Sequence, residues 1–298
     1  MTKYSDTTLF RLNSFSDTTK QVKRAIYESV LDTGFAPKIS DISKEFELSK
    51  PAVDEILHDL EGGIIIALQN SEHADIHEFM GQELPEDCIL PEVGEIFYAR
   101  PFANFKNHHQ IYVDGEQKWY GECPVECMTI SYFFPDKDVI VKSIAHDSKE
   151  TVEIVGRNGR LLDYSPKSLR VFWGRPFGDW IKSGDKKVDF IFPCDTNYFF
   201  SSEASFQEWK KTNPTTRGQS FTPDAINRLL RMFNYGHERF DYQYHIPLLR
   251  LLLGAIGTGM ITLNLLIPLP NPFFLSIIKL ARNARKAGYK FFLDIKLW

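Results

Sequence analysis

Pro124 is the residue that most restricts this chain. Proline fixes φ and has no N–H, which suits the first position of a helix, where that N–H has no partner to serve. The stretch Gly121-Glu122-Cys123-Pro124-Val125-Glu126-Cys127-Met128-Thr129-Ile130 therefore predicts a helix opening at Pro124, with Cys123 as its N-cap. A thiol at an N-cap faces free backbone N–H groups and the positive end of the helix dipole, and both favour the thiolate. Glu126 and Cys127 follow three and four residues on, so they rise from the same face as Cys123. A soft nucleophile, a proton carrier and a second thiol then share one small volume. Cys194, in Phe192-Pro193-Cys194-Asp195-Thr196-Asn197-Tyr198-Phe199-Phe200, is the distant partner to add.

Around this stretch the chain reads as short strands separated by turns. Gln110–Val113 and Lys118–Tyr120 flank Asp114-Gly115, a hairpin signal. Asp138 to Ala145, Thr151 to Val155 before the turn Arg157-Asn158-Gly159, Leu169 to Trp173 and Val188 to Phe192 are further strands. The Cys123 helix is expected to carry Met128, Ile130 and Tyr132 and to end before Pro135. Helices are also expected from Phe206 to Lys211, packed through Trp209, and from Thr222-Pro223-Asp224 through Phe233. Many short strands with few helices predict an α+β, mainly antiparallel fold.

The N-terminal part has a different character. Residues 1–17 are polar and read as a flexible tail; no secretory leader is expected there. Val22, Ile26, Val30 and Leu31 recur at helical spacing. A short helix opens at Ser40-Asp41-Ile42, and Ser49 caps a third, Lys50 to Glu61, ended by Gly62-Gly63. With the strand Ile64–Leu68, this is the order of a winged helix-turn-helix, assigned to residues 18–80. The third helix carries Lys50, Asp54, Glu55, His58, Asp59 and Glu61, so acids outnumber bases and DNA binding is disfavoured. A structural module packed on the rest is the preferred reading. Residues 71–92 are acidic and Pro-containing and read as a linker or irregular cover.

The chain has 298 residues, enough for a substantial core, and a formal charge of −4 that does not advertise a nucleic-acid binder. Four cysteines without a leader are read as reduced thiols, and Cys88 as a small buried apolar residue. There is no Gly-rich phosphate loop, no Gly-x-Ser-x-Gly elbow and no His-Glu-x-x-His, so the usual nucleotide, serine-hydrolase and zinc-protease signatures are missing.

Residues 18–235 resemble the organomercurial (alkylmercury) lyases. The resemblance rests on Cys123-Pro124-Val125-Glu126, on Cys194 ahead of Phe199-Phe200-Ser201-Ser202 and Trp209, and on the helical module that precedes them. It implies a cysteine domain over residues 81–240 with lyase chemistry. Cys123 and Cys194 match the family's mercury-holding cysteines, and Glu126 falls where the family usually has Asp. That carboxylate is one methylene longer, so its proton would arrive at a displaced point. The implied catalytic set is Cys123, Glu126 and Cys194, with mercury as substrate and product on Cys123 and Cys194. The resemblance gives Cys127 no role; a third mercury ligand, a resolving thiol and helix packing all stay open. No resident cofactor is implied. Small thiols, or a mercuric-ion-handling protein, would collect Hg(II), since soft thiolates suit this soft ion.

Three other readings use the same residues. A thiol metal-binding protein would coordinate Zn²⁺ or Cu(I) through Cys123, Cys127, Cys194 and a histidine such as His146. A regulator would couple the helical module to a cysteine sensor. A cysteine hydrolase would need His108, His109 or His146 beside the nucleophile. Beyond the resemblance, residues 241–298 form an added tail. Ile246–Ile267 is long and apolar, and Phe273–Lys290 is a basic amphipathic segment, a pattern that suits association with a membrane surface from the cytoplasm. Arg250, Asn264 and the glycines oppose a span, and a buried helix is the competing reading.

Overall fold

The structure is a computed structural model that describes residues 15–62, 65–72, 76–79, 81–174, 181–183, 188–190, 196–216 and 218–232. It begins with three helices, α1 (Asp17–Thr33), α2 (Ile39–Glu45) and α3 (Lys50–Gly62). Strands β1 (Ile66–Leu68), β2 (Glu78–Phe79), β3 (Gln82–Glu83), β4 (Ile96–Ala99), β5 (Phe102–Ala103), β6 (Gln110–Val113) and β7 (Glu116–Gly121) follow. The one-turn helix α4 (Pro124–Cys127) and a 3₁₀ turn (Ile130–Phe133) lead to β8 (Val139–Ile144), β9 (Thr151–Arg157), β10 (Arg160–Ser165) and β11 (Arg170–Trp173). The described remainder comprises β12 (Ile181–Ser183), β13 (Val188–Phe190), β14 (Tyr198–Phe200), α5 (Glu203–Thr212), β15 (Gln219–Phe221) and α6 (Pro223–Met232).

Helix α1 forms where the apolar spacing places it. Ser16 caps it by accepting the Thr19 N–H at 3.0 Å, and Val22, Ile26 and Val30 form its buried stripe. Helix α3 buries Val53, Leu57 and Leu60. Among the acids on α3, Glu61 is turned inward, and its carboxylate accepts the Leu68 N–H at 3.1 Å, tying the helix to β1. Strand β1 then pairs antiparallel with β4, so the helices attach directly to the main sheet.

That sheet has eight strands in the order β1-β4-β5-β7-β6-β8-β9-β10, with antiparallel neighbours throughout. The β6–β7 hairpin turns at Asp114 and Gly115, with φ of 53° and 83°, and β9–β10 at Asn158 and Gly159, with φ of 47° and 71°. Positive φ at both central residues matches the twist of the flanking strands, as the Asp-Gly and Asn-Gly signals predict. On β8 the burial alternates strictly, with Val139, Val141 and Ser143 inward. A three-stranded sheet, β14-β11-β15, stands apart from it. Phe199 and Phe200 are adjacent on β14 and so point to opposite faces. Phe199 joins the main core, whereas Phe200 packs with Phe172 and Phe206 in a second aromatic cluster against Trp209.

Two expectations change. The helix predicted from Cys123 to Pro135 is a single α turn followed by a 3₁₀ turn, because Thr129 bends the chain: both its N–H and its Oγ1 bond to the Glu126 carbonyl, at 2.8 and 2.7 Å. The acidic stretch expected as irregular cover contains the β2–β3 hairpin, whose two-residue strands are too short to show a period. The apolar and basic segments predicted in 246–290 lie outside the described residues. Among the described residues no helix is long and apolar enough to cross a membrane.

Candidate active site

Strand β7 ends at Gly121, and two residues later Cys123 caps α4. Its backbone is extended (φ −158°, ψ 167°), and its Sγ accepts the Glu126 N–H at 3.5 Å, within the range of bonds to sulfur. The N-cap geometry expected from Pro124 is therefore present. Cys123 has 0% exposure. A second donor comes from far along the chain: Asn197 Nδ2 lies 3.5 Å from the same sulfur. The Asn197 carboxamide has one orientation available, because its Oδ1 accepts the Gly174 N–H at 3.1 Å and its NH₂ must then face Cys123.

This meeting depends on how the two sheets approach. Helix α4 packs against both β7 and β11. Asn197 stands just before β14, whose Tyr198 pairs with Phe172 of β11. Gly174, just beyond β11, touches the incoming chain: a Cβ there would lie 2.0 Å from the Thr196 carbonyl oxygen. Only a residue without a side chain permits that approach.

Glu126 is buried, at 3% exposure, on the same turn as Cys123. Its carboxylate and that of Glu122, after burial itself, hold the Tyr27 phenol protonated far above its ordinary range. Glu122 is fully buried and paired with Arg100. The Arg100 carbonyl accepts the Tyr27 hydroxyl at 2.6 Å, so α1 supports the base of the site. Cys127 is also buried. Burial first, and then Cys123, Glu126 and Glu122, push its thiol well above the usual range. Its Sγ packs on Gly121, where a Cβ would come within 2.1 Å.

The structure thus gathers Cys123, Glu126 and Cys127 as expected from their spacing. Cys194 lies outside the described residues. Cys88 is partly buried and, among the described residues, has no disulfide partner. Among the histidines weighed for a hydrolase, His109 is buried with Nδ1 2.8 Å from Ser143 Oγ, and burial lowers it from the ordinary 6.5 to about 3. His146 stacks on Tyr198 with ring centroids 4.5 Å apart. The hydrogen bonds to the Cys123 sulfur among the described residues come from Glu126 and Asn197. No group of three or more His, Cys, Asp or Glu among the described residues could hold a metal ion. A separate concavity of about 890 Å³ lies between α2, α3 and Glu92–Glu95, and no cysteine lines it.

Sequence reading passed over Asn197, the Arg100–Glu122 pair and Tyr27. Glu122 adjoins Cys123 and Asn197 sits in the quoted Cys194 stretch, but neither belongs to a spacing pattern that predicts its partner. Tyr27 reads only as one more residue of α1.

Residues 102–234 match the family described as MerB, alkylmercury lyase. The chain is also similar to a crystal structure of the mercury-bound form of MerB2, with 18% identity, a TM-score of 0.51, and coverage of 77% of this chain and 94% of that one. At that identity the likeness speaks for the fold. No curated protein matches the chain. The matched span, residues 102–234, includes the sequence positions Cys123, Glu126 and Cys194.

Proposed function

We propose that this protein cleaves the carbon–mercury bond of an organomercurial, R–Hg–X, by protonolysis. The observation that carries the reading is the environment of Cys123: one sulfur receiving two N–H donors at the head of a turn that also holds a buried carboxylate. N–H groups aimed at sulfur favour the thiolate, the form that attacks soft metals.

Glu126 takes the Cys123 proton, and the thiolate forms an S–Hg bond as X leaves with its electron pair. Cys194 adds as the second sulfur ligand and its proton leaves with X as HX. The Hg–C bond then breaks, its electron pair stays on carbon, and Glu126 delivers the proton there. The products are R–H, HX and Hg(II) on two thiolates, and the Glu126 carboxylate is restored. Small thiols, or a thiol-bearing acceptor protein, then remove Hg(II) by exchange.

The test is headspace measurement of hydrocarbon from purified protein given an organomercurial and excess small thiol. Release that is lost in Cys123→Ser and in Cys194→Ser supports the lyase. Stoichiometric Hg(II) binding without hydrocarbon overturns it and leaves a thiol protein that binds heavy metal on the same fold.

A further inference from the structure

We propose that Asn197 is a positioning residue that holds an N–H donor on the Cys123 sulfur and so favours attack by Cys123 over Cys127. The inference rests on the lyase reading for its chemical meaning, although its geometry stands apart from that reading. The Asn197 side chain is almost fully buried, at 1% exposure, and both ends are used. The Gly174 N–H holds the oxygen at 3.1 Å, and the NH₂ is left to the Cys123 sulfur at 3.5 Å. A buried carboxamide oriented at one end acts as a fixed donor at the other, with little reorganisation when charge forms on sulfur.

The two thiols of this turn are thereby distinguished. Cys123 receives the Glu126 N–H and the Asn197 N–H. Cys127 instead packs its sulfur on the backbone of Gly121. In the first step the Cys123 thiol gives its proton to the Glu126 carboxylate. The sulfur lone pair then forms the S–Hg bond, and X departs with the Hg–X electron pair. Asn197 transfers no atom; it stabilises the negative sulfur before the bond forms.

The experiment titrates thiolate by ultraviolet absorbance against pH, with no organomercurial present. Subtracting the Cys123→Ser curve isolates the step that belongs to Cys123. In Asn197→Leu the step moves to higher pH, and alkylation of the Cys123 peptide near neutral pH slows about tenfold, the size expected for one charge-assisted hydrogen bond. Asn197→Asp keeps an acceptor for the Gly174 N–H, so the local fold is retained, but turns a carboxylate toward sulfur; its step moves further in the same direction. An unchanged step in a folded Asn197→Asp protein overturns the proposal. If the step moves but wild type releases no hydrocarbon, the lyase reading fails and the Asn197 assignment stands.

Discussion

The sulfur of Cys127 lies against the backbone of Gly121, six residues earlier, at a position where a side-chain carbon would come within 2.1 Å. The end of β7 and the turn of α4 are locked together by this contact, and it gives Cys127 a packing role beside the reactive pair. Gly121→Ala should therefore destabilise the fold by about 1–3 kcal/mol through overpacking. Gly121→Ala combined with Cys127→Ala should recover part of that loss, because the second change removes the clashing atom. Urea unfolding of Gly121→Ala, Cys127→Ala, the double variant and wild type measures it, and equal losses in Gly121→Ala and the double variant would mean that the two residues do not touch.

Glu126→Gln keeps the volume of the buried side chain and its N–H on the Cys123 sulfur, but removes the proton carrier. Hydrocarbon release should fall by about 10²–10⁴-fold, while Hg(II) is still bound. Headspace analysis beside a mercury-binding titration separates the two effects. Unchanged release would assign proton delivery to another group.

The Arg100–Glu122 pair is buried on both sides. Arg100→Met removes the guanidinium from the buried Glu122 carboxylate, and should cost about 3–5 kcal/mol. Arg100→Met with Glu122→Gln should restore most of that, since neither side then carries a buried charge. Chemical denaturation gives the comparison. A double variant no more stable than Arg100→Met would show that the loss comes from packing of the arginine stem.

His109 gives a pH signature. Burial depresses it from the ordinary 6.5 to about 3 in the folded protein, so between those values the unfolded chain binds a proton that the folded chain does not. Stability from this group is fully present above about pH 6.5 and is lost as pH falls toward 3, with a slope of up to about 1.4 kcal/mol per pH unit. His109→Asn should flatten the decline between pH 6.5 and 4. Denaturant midpoints across that range check it, and parallel slopes in variant and wild type would remove His109 as the cause.

Much of this protein is legible without coordinates, and for local reasons. The cap at Cys123 follows from Pro124, because a fixed φ and a missing N–H act on the residue itself and its neighbours. The hairpins at Asp114-Gly115 and Asn158-Gly159 follow from residues that tolerate positive φ, and α1 and α3 follow from apolar spacing. The grouping of Cys123, Glu126 and Cys127 follows from helical geometry alone, even though the helix stops after one turn.

What needed the tertiary structure is everything that reaches across the chain. Asn197 finds Cys123 over a separation of 74 residues only because β14 pairs with β11 and α4 packs on β11. Arg100 neutralises Glu122 because both are buried together, and burial is a property of the assembled core. Thr129 ends α4 by bonding the Glu126 carbonyl, a choice between two local hydrogen-bond patterns that the apolar spacing does not contain. Local chemistry names the reactive groups. The packing of two sheets decides which donors, charges and glycines surround them, because those contacts exist only when distant backbone segments are held within hydrogen-bonding range.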